Sequence, residues 1–400
     1  MLYRAMPKNN DQLSILGFGC MRLPTTEDGS IDEPRAIKQV RSAIDSGVNY
    51  LDTAWPYHGG MSESFVGRAL AGGYRNKVKL ATKLPSWLIR TREEMDEYLA
   101  QQLEHLQTDH IDYYLLHALD GTSWDALDQL DVRSFLDRAL ADGRIRNAGF
   151  SFHGLLKDFK RIVDGYPWTF CQMQYNYLDQ ENQAGTEGLQ YAAQRDLGVI
   201  IMEPLRGGNI GMPDPPPAIN QIWQQAETRR TPVEWALRWV WNHPEVTVVL
   251  SGMNEEAHIK ENLAIAEQAL PESLSDFELD LVDKVARRYK ELMKVGCTGC
   301  GYCMPCPMGV NIPVIFEVYN KMHLFEKFDE AKFSYALRMS GQLTGDEPGY
   351  ASQCVQCGEC LKKCPQHLPI PEYLENIVEE MEGPELEKRV EMAKKTLCIE

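Results

Sequence analysis

Long apolar runs are missing from this sequence: nothing in its 400 residues approaches the roughly 20 consecutive apolar residues that cross a bilayer. That absence excludes a helical membrane span. Basic residues are also in short supply, with 41 Lys and Arg against 58 Asp and Glu and a formal charge of -17. A surface of that sign does not displace the counterions of nucleic acid or bind an anionic membrane through clustered cations. The opening MLYRAMPKNNDQ lacks the basic stretch and apolar run of a secretory leader, so the expected location is cytoplasmic. Cysteine is nearly absent before residue 297, where only Cys20 and Cys171 occur. Two isolated thiols in a reducing compartment carry no disulfide framework and read as small buried side chains.

What fills residues 1–270 is alternation. Strand-like runs are SILGFG (14–19), VNYLDTA (48–54), VKLATKL (78–84), IDYYLLHAL (111–119), IRNAGFSF (145–152), FCQMQYN (170–176), GVIIMEPL (198–205) and VTVVLSG (246–252). Amphipathic stretches such as EPRAIKQVRSAIDSG and TREEMDEYLAQQLEHL separate them, with apolar residues three and four apart as in helices. Eight strands, each followed by a helix, predict an α/β fold, a closed (β/α)8 TIM barrel; an open doubly wound sheet is the alternative that the same alternation permits. The residues before the first strand suffice for a small hairpin closing the barrel bottom. TPVEWALRWVWNH reads as a core-facing helix. The Pro- and Gly-rich stretch 206–221 has the length of a lid or binding loop.

In a parallel barrel the loops after the strands share one face, so chemistry-bearing residues at strand ends converge. Asp52 closes the second strand, Tyr57 lies in the loop after it, Lys83 closes the third strand and His117 the fourth. Singly they have ordinary readings, as a helix cap, a turn aromatic, a surface charge and a core histidine. Together they suit proton donation to a substrate oxygen. A phenol with a pKa of about 10 is a poor acid at neutral pH unless a cation steadies its phenolate. Lys83 supplies that cation, Asp52 holds the lysine, and His117 hydrogen-bonds the substrate oxygen or relays a proton.

DTAWPY, ATK and LLH resemble the blocks that carry such a tetrad in the aldo-keto reductase family, and the resemblance runs in order through residues 1–268. It implies a barrel that reduces carbonyls with NADP or NAD, in which Asp52, Tyr57, Lys83 and His117 are the catalytic set and Tyr57 donates the proton. It also implies cofactor contacts. Ser151, His153 (for the family's usual Asn) and Gln172 match the positions at the nicotinamide carboxamide. Leu205, Arg206 and Gly207 match the pyrophosphate loop, and Glu261 and Asn262 the adenine contact. Two places depart from the pattern. Met202 stands where a stacking aromatic is usual, and Gly252 and His258 stand where Lys and Arg grip the 2'-phosphate. Weak discrimination between NADPH and NADH is therefore expected.

PESLSDFELDLVDKVARRYKELMKVG (271–296) reads as a helical connector into two cysteine runs. Cys354, Cys357, Cys360 and Cys364, followed by Pro365, have the C-x2-C-x2-C-x3-C-P spacing of bacterial [4Fe-4S] ferredoxins. Cys297, Cys300, Cys303 and Cys306 before Pro307 are one residue shorter at the last gap. In two-cluster ferredoxins the fourth cysteine ligates the other cluster. The expected sets are thus Cys297, Cys300, Cys303 with Cys364, and Cys354, Cys357, Cys360 with Cys306. Zinc competes for paired C-x2-C motifs, but it leaves the third cysteine of each triplet unexplained. The helix-like stretch between the runs resembles the helical ferredoxin domains of respiratory and anaerobic oxidoreductases. Residues 297–370 are accordingly expected to form a mainly α-helical, ferredoxin-like domain with two [4Fe-4S] clusters, and 371–400, which include the isolated Cys398, a helical tail.

Nicotinamide passes two electrons as hydride, whereas a cluster passes one. Three arrangements follow. The clusters are structural beside an ordinary carbonyl reductase; or they exchange electrons with the barrel through a flavin, which the sequence does not announce; or the protein is chiefly an electron-transfer module whose barrel binds a nucleotide. The tetrad favours an enzyme acting on a small carbonyl or alcohol substrate, with an electron-transfer protein as a candidate partner and neither nucleic acid nor membrane.

Overall fold

The computed structural model describes residues 1–341 and 347–397, so Cys398 lies outside the described residues. The chain folds into two compact units, Met1–Leu205 with Arg230–Leu279, and Arg206–Arg229 with Asp280–Glu400.

The first unit opens with an antiparallel hairpin, β1 (Tyr3–Ala5) and β2 (Gln12–Ser14). Eight strands then form a closed parallel barrel: β3 (Leu16–Gly19), β4 (Tyr50–Asp52), β5 (Lys79–Leu84), β6 (Ile111–Leu119), β7 (Ile145–Phe152), β8 (Phe170–Gln174), β9 (Gly198–Met202) and β10 (Val246–Ser251), which pairs back onto β3. β6 and β7 have the bounds that the sequence predicts. β4 and β9 are shorter, because the chain leaves the ladder after Asp52 and Met202 to build loops, and Glu203 takes a left-handed φ of 55°. Helices alternate with the strands. Arg92–His105, for example, starts at a capping box in which Thr91 accepts from the Glu94 N–H and Glu94 reaches back to the Thr91 N–H, satisfying donors that a helix end leaves orphaned. The tryptophan-rich helix Pro232–Trp241 buries Trp235, Trp239 and Trp241.

Strand side chains alternate, so residues i and i+2 face the same side. One apolar cluster unites Tyr50, Ala81, Tyr113, Leu115, Phe170, Ile200, Val248 and Leu250 with Met6 and Leu13 of the hairpin region. The Tyr50–Tyr113 and Tyr113–Phe170 rings meet edge to face at 5.4 and 5.0 Å. Gly149 makes room for this layer, since a Cβ there would fall 2.5 Å from the Phe170 ring. Two residues farther along the same strands come Asp52, Lys83, His117, Ser151, Gln172 and Met202. The alternation that fills the barrel with apolar side chains thus tops it with a polar layer at the C-terminal ends of the strands.

The second unit is helical. Ile312–Phe325 and Phe328–Met339 form a pair broken at Glu326, which has a left-handed φ of 55°; Glu359–Lys363, Ile370–Ile377 and Leu386–Leu397 follow. Pro313 and Pro371 sit in the first turn of their helices, where a missing N–H does no harm. Val310, Ile315, Phe316, Tyr335, Leu374 and Ile377 are among its buried core, and Cys297, Cys303, Cys306, Cys354, Cys360 and Cys364 pack against it. Among the described residues, no helix is long and apolar enough to cross a membrane.

Candidate active site and cysteine centres

The polar layer holds a buried ion pair. Lys83 and Asp52 have side chains 1% and 3% exposed, with Nζ 2.7 Å from Oδ1. Lys83 Nζ also donates to the Thr53 carbonyl at 2.7 Å and to the Tyr57 hydroxyl at 3.3 Å, which uses all three ammonium donors. Tyr57 begins a short turn, Tyr57–Gly60, in which His58 and Gly59 have left-handed φ values of 52° and 63°. The Leu23 N–H donates to His58 Nε2 at 3.2 Å and ties that turn down.

The His117 ring stands edge-on to Tyr57, with centroids 6.0 Å apart. Just beyond it the β6–β7 register slips between Leu116 and Leu119, and Ala118 takes a φ of 53°. Ser151 Oγ accepts the Ala118 N–H at 2.7 Å, and so holds the bulge next to His117.

Three supporting residues were not found from the sequence. Glu63 is fully buried and accepts from Thr82 Oγ1 at 2.5 Å and Gln102 Nε2 at 2.6 Å. Gln102 Nε2 also donates to the Lys83 carbonyl at 2.9 Å, bracing that strand from behind. The available signal was a carboxylate among the apolar residues of SESFVGRA. Exposed Trp87, four positions after Lys83, lies 5.1 Å from the His117 ring.

Burial dominates the electrostatics. Enclosure of the hydroxyl end of the half-buried Tyr57 pushes its phenol well above the ordinary value of 10, with the Asp52 carboxylate adding to the rise. Burial therefore outweighs the lowering that Lys83 was expected to supply. Asp52 is raised by burial against the opposing pull of Lys83. His117 is driven well below 6.5, first by burial and then by Lys83 and His153. At neutral pH the site thus holds a protonated phenol and a neutral imidazole. Such a phenol gives its proton only to a strong base such as an alkoxide, and the imidazole is a hydrogen-bonding group rather than a proton source.

Ser151 and Gln172 are register partners across β7 and β8. Gln172 is buried, and its Oε1 has no hydrogen-bond partner among the described residues; leaving such an atom unsatisfied costs about 1–3 kcal/mol, so it fits a ligand that brings an N–H, as a carboxamide does. His153 Nδ1 lies 3.2 Å from Gln183 Oε1. Leu205 and Gly207 are half-buried, and Gly207 has a φ of 68°. The Arg206 side chain is buried in the second unit, where Nη2 donates to the Gly296 carbonyl at 3.1 Å. Glu261 and Asn262 stand apart from the polar layer, on helix Glu256–Ala266. Asn262 donates to Ser251 Oγ at 3.0 Å, and Glu261 accepts from Thr231 Oγ1 at 2.7 Å. A side chain at Gly252 would meet Arg22 Cβ at 3.3 Å, so exposed Arg22 brings a cation beside a position where the sequence has none.

None of the ten described cysteines is in a disulfide. Cys20 and Cys171 are fully buried, and burial pushes both thiols up. The other eight gather in two groups. Cys303 lies within electrostatic reach of Cys300, Cys297 and Cys364, and Cys360 within reach of Cys354, Cys306 and Cys357. The first four thiols line one cavity beside Phe316 and Leu368. Cys306, Cys354, Cys357 and Cys360 line the other, together with Cys303, Pro307 and Met308. Burial and then the neighbouring cysteines push the Cys303 thiol up to about 12. Gly299 and Gln356, both with left-handed φ, direct their N–H groups at Cys297 Sγ (3.3 Å) and Cys354 Sγ (3.4 Å). Donors of this kind tune sulfur-ligated iron.

A closed parallel barrel with its polar residues at the strand ends is a fold that many enzymes share, and comparison with known proteins narrows the class. Residues 15–285 match the family model for the aldo/keto reductase family, and 296–368 match a 4Fe-4S dicluster domain. The chain belongs to the aldo/keto reductase family, a family of oxidoreductases, and carries a C-terminal 4Fe-4S region. It is 27% identical to aldo-keto reductase YhdN of Bacillus subtilis over 65% of this chain and 87% of that protein. The holo form of an aldo-keto reductase from Bacillus halodurans superposes with a TM-score of 0.60 at 26% identity, over 71% of this chain and 96% of that one. An aldo-keto reductase from Klebsiella pneumoniae, solved in complex with NADPH, shares the fold at 22% identity and a TM-score of 0.57, over 72% and 96% of the two chains.

Proposed function

We propose that this chain reduces a small carbonyl substrate with NADPH or NADH, that Tyr57 is the proton donor, and that the eight clustered cysteines hold two [4Fe-4S] clusters. The observation that carries the reading is the buried Lys83 ammonium, fixed by Asp52 and the Thr53 carbonyl with its third donor on the Tyr57 hydroxyl. The nicotinamide, when bound, supplies a hydride to the carbonyl carbon. Gln172 and Ser151 hold its carboxamide, and Tyr57 and neutral His117 orient the carbonyl oxygen between them. As negative charge develops on that oxygen it becomes a stronger base than the phenolate, and Tyr57 releases its proton to it. The alcohol forms, and the Tyr57 phenolate is left beside the Lys83 charge. His153, Leu205, Glu261 and Asn262 are proposed to complete the dinucleotide contacts, with the backbone serving at Leu205. Arg22, beside Gly252, is proposed to reach the 2'-phosphate.

Two groups of four thiols suit two iron-sulfur clusters, which supply one-electron chemistry when bound. Anaerobically purified, iron-replete protein is expected to consume NADPH in the presence of a panel of aldehydes and ketones, and to contain iron and sulfide equal to two four-iron clusters. Binding of NADPH with no carbonyl-dependent consumption across the panel would sink the enzymatic half. Tightly bound zinc without sulfide would sink the cluster half.

A further inference from the structure

Residues Arg206–Arg229 belong to the second unit, and the start of this segment braces the first cysteine turn there. Arg206 takes a φ of 51°, a left-handed conformation that residues with a Cβ rarely adopt. The residue is 6% exposed. Nη2 donates to the Gly296 carbonyl at 3.1 Å, and Nη1 lies 3.4 Å from Met293 Sδ. A Cβ at Gly296 would fall 3.3 Å from Nη2, a tight contact at which the guanidinium would have to shift by a few tenths of an ångström. Asn209 Nδ2 donates to the Cys297 carbonyl at 3.2 Å. The carbonyls on either side of Cys297 are therefore both held from one loop. Because peptide units are planar, fixing those two oxygens helps set the path of the turn in which the Gly299 N–H meets Cys297 Sγ.

We propose that Arg206 and Asn209 are positioning residues for the iron-sulfur group held by Cys297, Cys300, Cys303 and Cys364, and that the Arg206 charge raises its reduction potential. The inference rests on the two-cluster reading above. A cluster gains negative charge when it is reduced, so a buried guanidinium on the adjacent peptide stabilises the reduced form. Outer hydrogen bonds that orient a ligand also tune the metal group it holds. The turn at Cys354 has a matching N–H to sulfur bond from Gln356, which makes the second group an internal control.

The test is an EPR-monitored redox titration of the full, iron-replete chain, with iron and sulfide measured on each sample. In Arg206→Gln one of the two midpoint potentials is expected to fall while the other stays at its wild-type value. Arg206→Lys, which keeps the charge, is expected to restore most of that fall. Loss of one cluster's worth of iron from Arg206→Gln, with circular dichroism unchanged, also supports bracing. Two clusters with both potentials unmoved in Arg206→Gln would overturn the inference. Wild-type protein that lacks two clusters would instead overturn the reading beneath it. If Arg206→Gln does not fold, Asn209→Ala is decisive: its unchanged N–H to sulfur signature in pulsed EPR would overturn the positioning role, and its loss would support it.

Discussion

Replacing Lys83 by Met isolates the contribution of the buried pair, because Met matches the length of the lysine stem and removes the charge. At 2.7 Å the Coulomb attraction is about 6 kcal/mol for an effective dielectric of about 20. Burying two ions opposes it by several kcal/mol each, so the net worth of the intact pair is small. Truncating one partner is different. Asp52 would keep its burial and lose its counter-charge, and such truncations destabilise by about 3–5 kcal/mol. The pH dependence follows from the direction of the shift. Asp52 is already raised by burial while Lys83 pulls it down, so without Lys83 its folded value climbs further above the unfolded value. A group raised in this way favours the fold fully below its unfolded pKa of about 3.9, and that contribution is lost as pH rises through the folded value. The penalty in Lys83→Met is therefore larger at about pH 7.5 than at about pH 5. Urea unfolding of the iron-replete chain, followed by tryptophan fluorescence for the barrel and by visible absorbance for the clusters, separates the units that a single transition would blend. A loss below about 1 kcal/mol that is the same at both pH values would refute the buried-pair argument.

Tyr57 is held above 10 and His117 below 6.5, so neither changes charge in between, and carbonyl reduction at saturating substrate is expected to be flat from about pH 7 to 9. A titration centred inside that window would contradict the assignment. His117 also works against the fold in acid: a group depressed in the folded state stabilises above its unfolded value and loses that contribution as pH falls through the folded one. His117→Gln should therefore be less sensitive to acid than wild type in the same urea assay. Arg22→Ala is expected to raise KM for NADPH about tenfold while leaving KM for NADH within about twofold, the loss of one charge-assisted phosphate contact. Equal effects on both would remove Arg22 from the 2'-phosphate.

The polar layer was legible because strands impose a period of two. Asp52, Lys83 and His117 each follow an inward apolar residue, Tyr50, Ala81 and Leu115, by two positions, and strand-end chemistry in a parallel barrel converges by topology. The 4Fe-4S dicluster region was equally open to reading, since the spacing of its cysteines is local. What escaped was set by distance in sequence. Arg22 meets Gly252 only because β10 closes onto β3, and Arg206 reaches Gly296 across 90 positions. Glu63 is enclosed by Thr82 and Gln102, which lie 19 and 39 positions away in the chain. The direction of the Tyr57 shift also escaped, because adjacency to Lys83 was visible in the pattern while the enclosure of the phenol's hydroxyl end was not. The ends of β4 and β9 were overrun for a related reason: DTA and EPL are apolar enough to continue a strand, but the barrel uses them to turn its loops.

The most direct test of the account is Tyr57→Phe, assayed for NADPH-dependent carbonyl reduction alongside iron content and the EPR spectrum of the clusters. Removing a general acid slows turnover by about 100- to 10,000-fold. The account predicts a fall of that size with NADPH affinity, iron and cluster signals unchanged. Carbonyl reduction at the wild-type rate in Tyr57→Phe would contradict the assignment of the proton donor, and with it the claim that the barrel's polar layer is the catalytic centre.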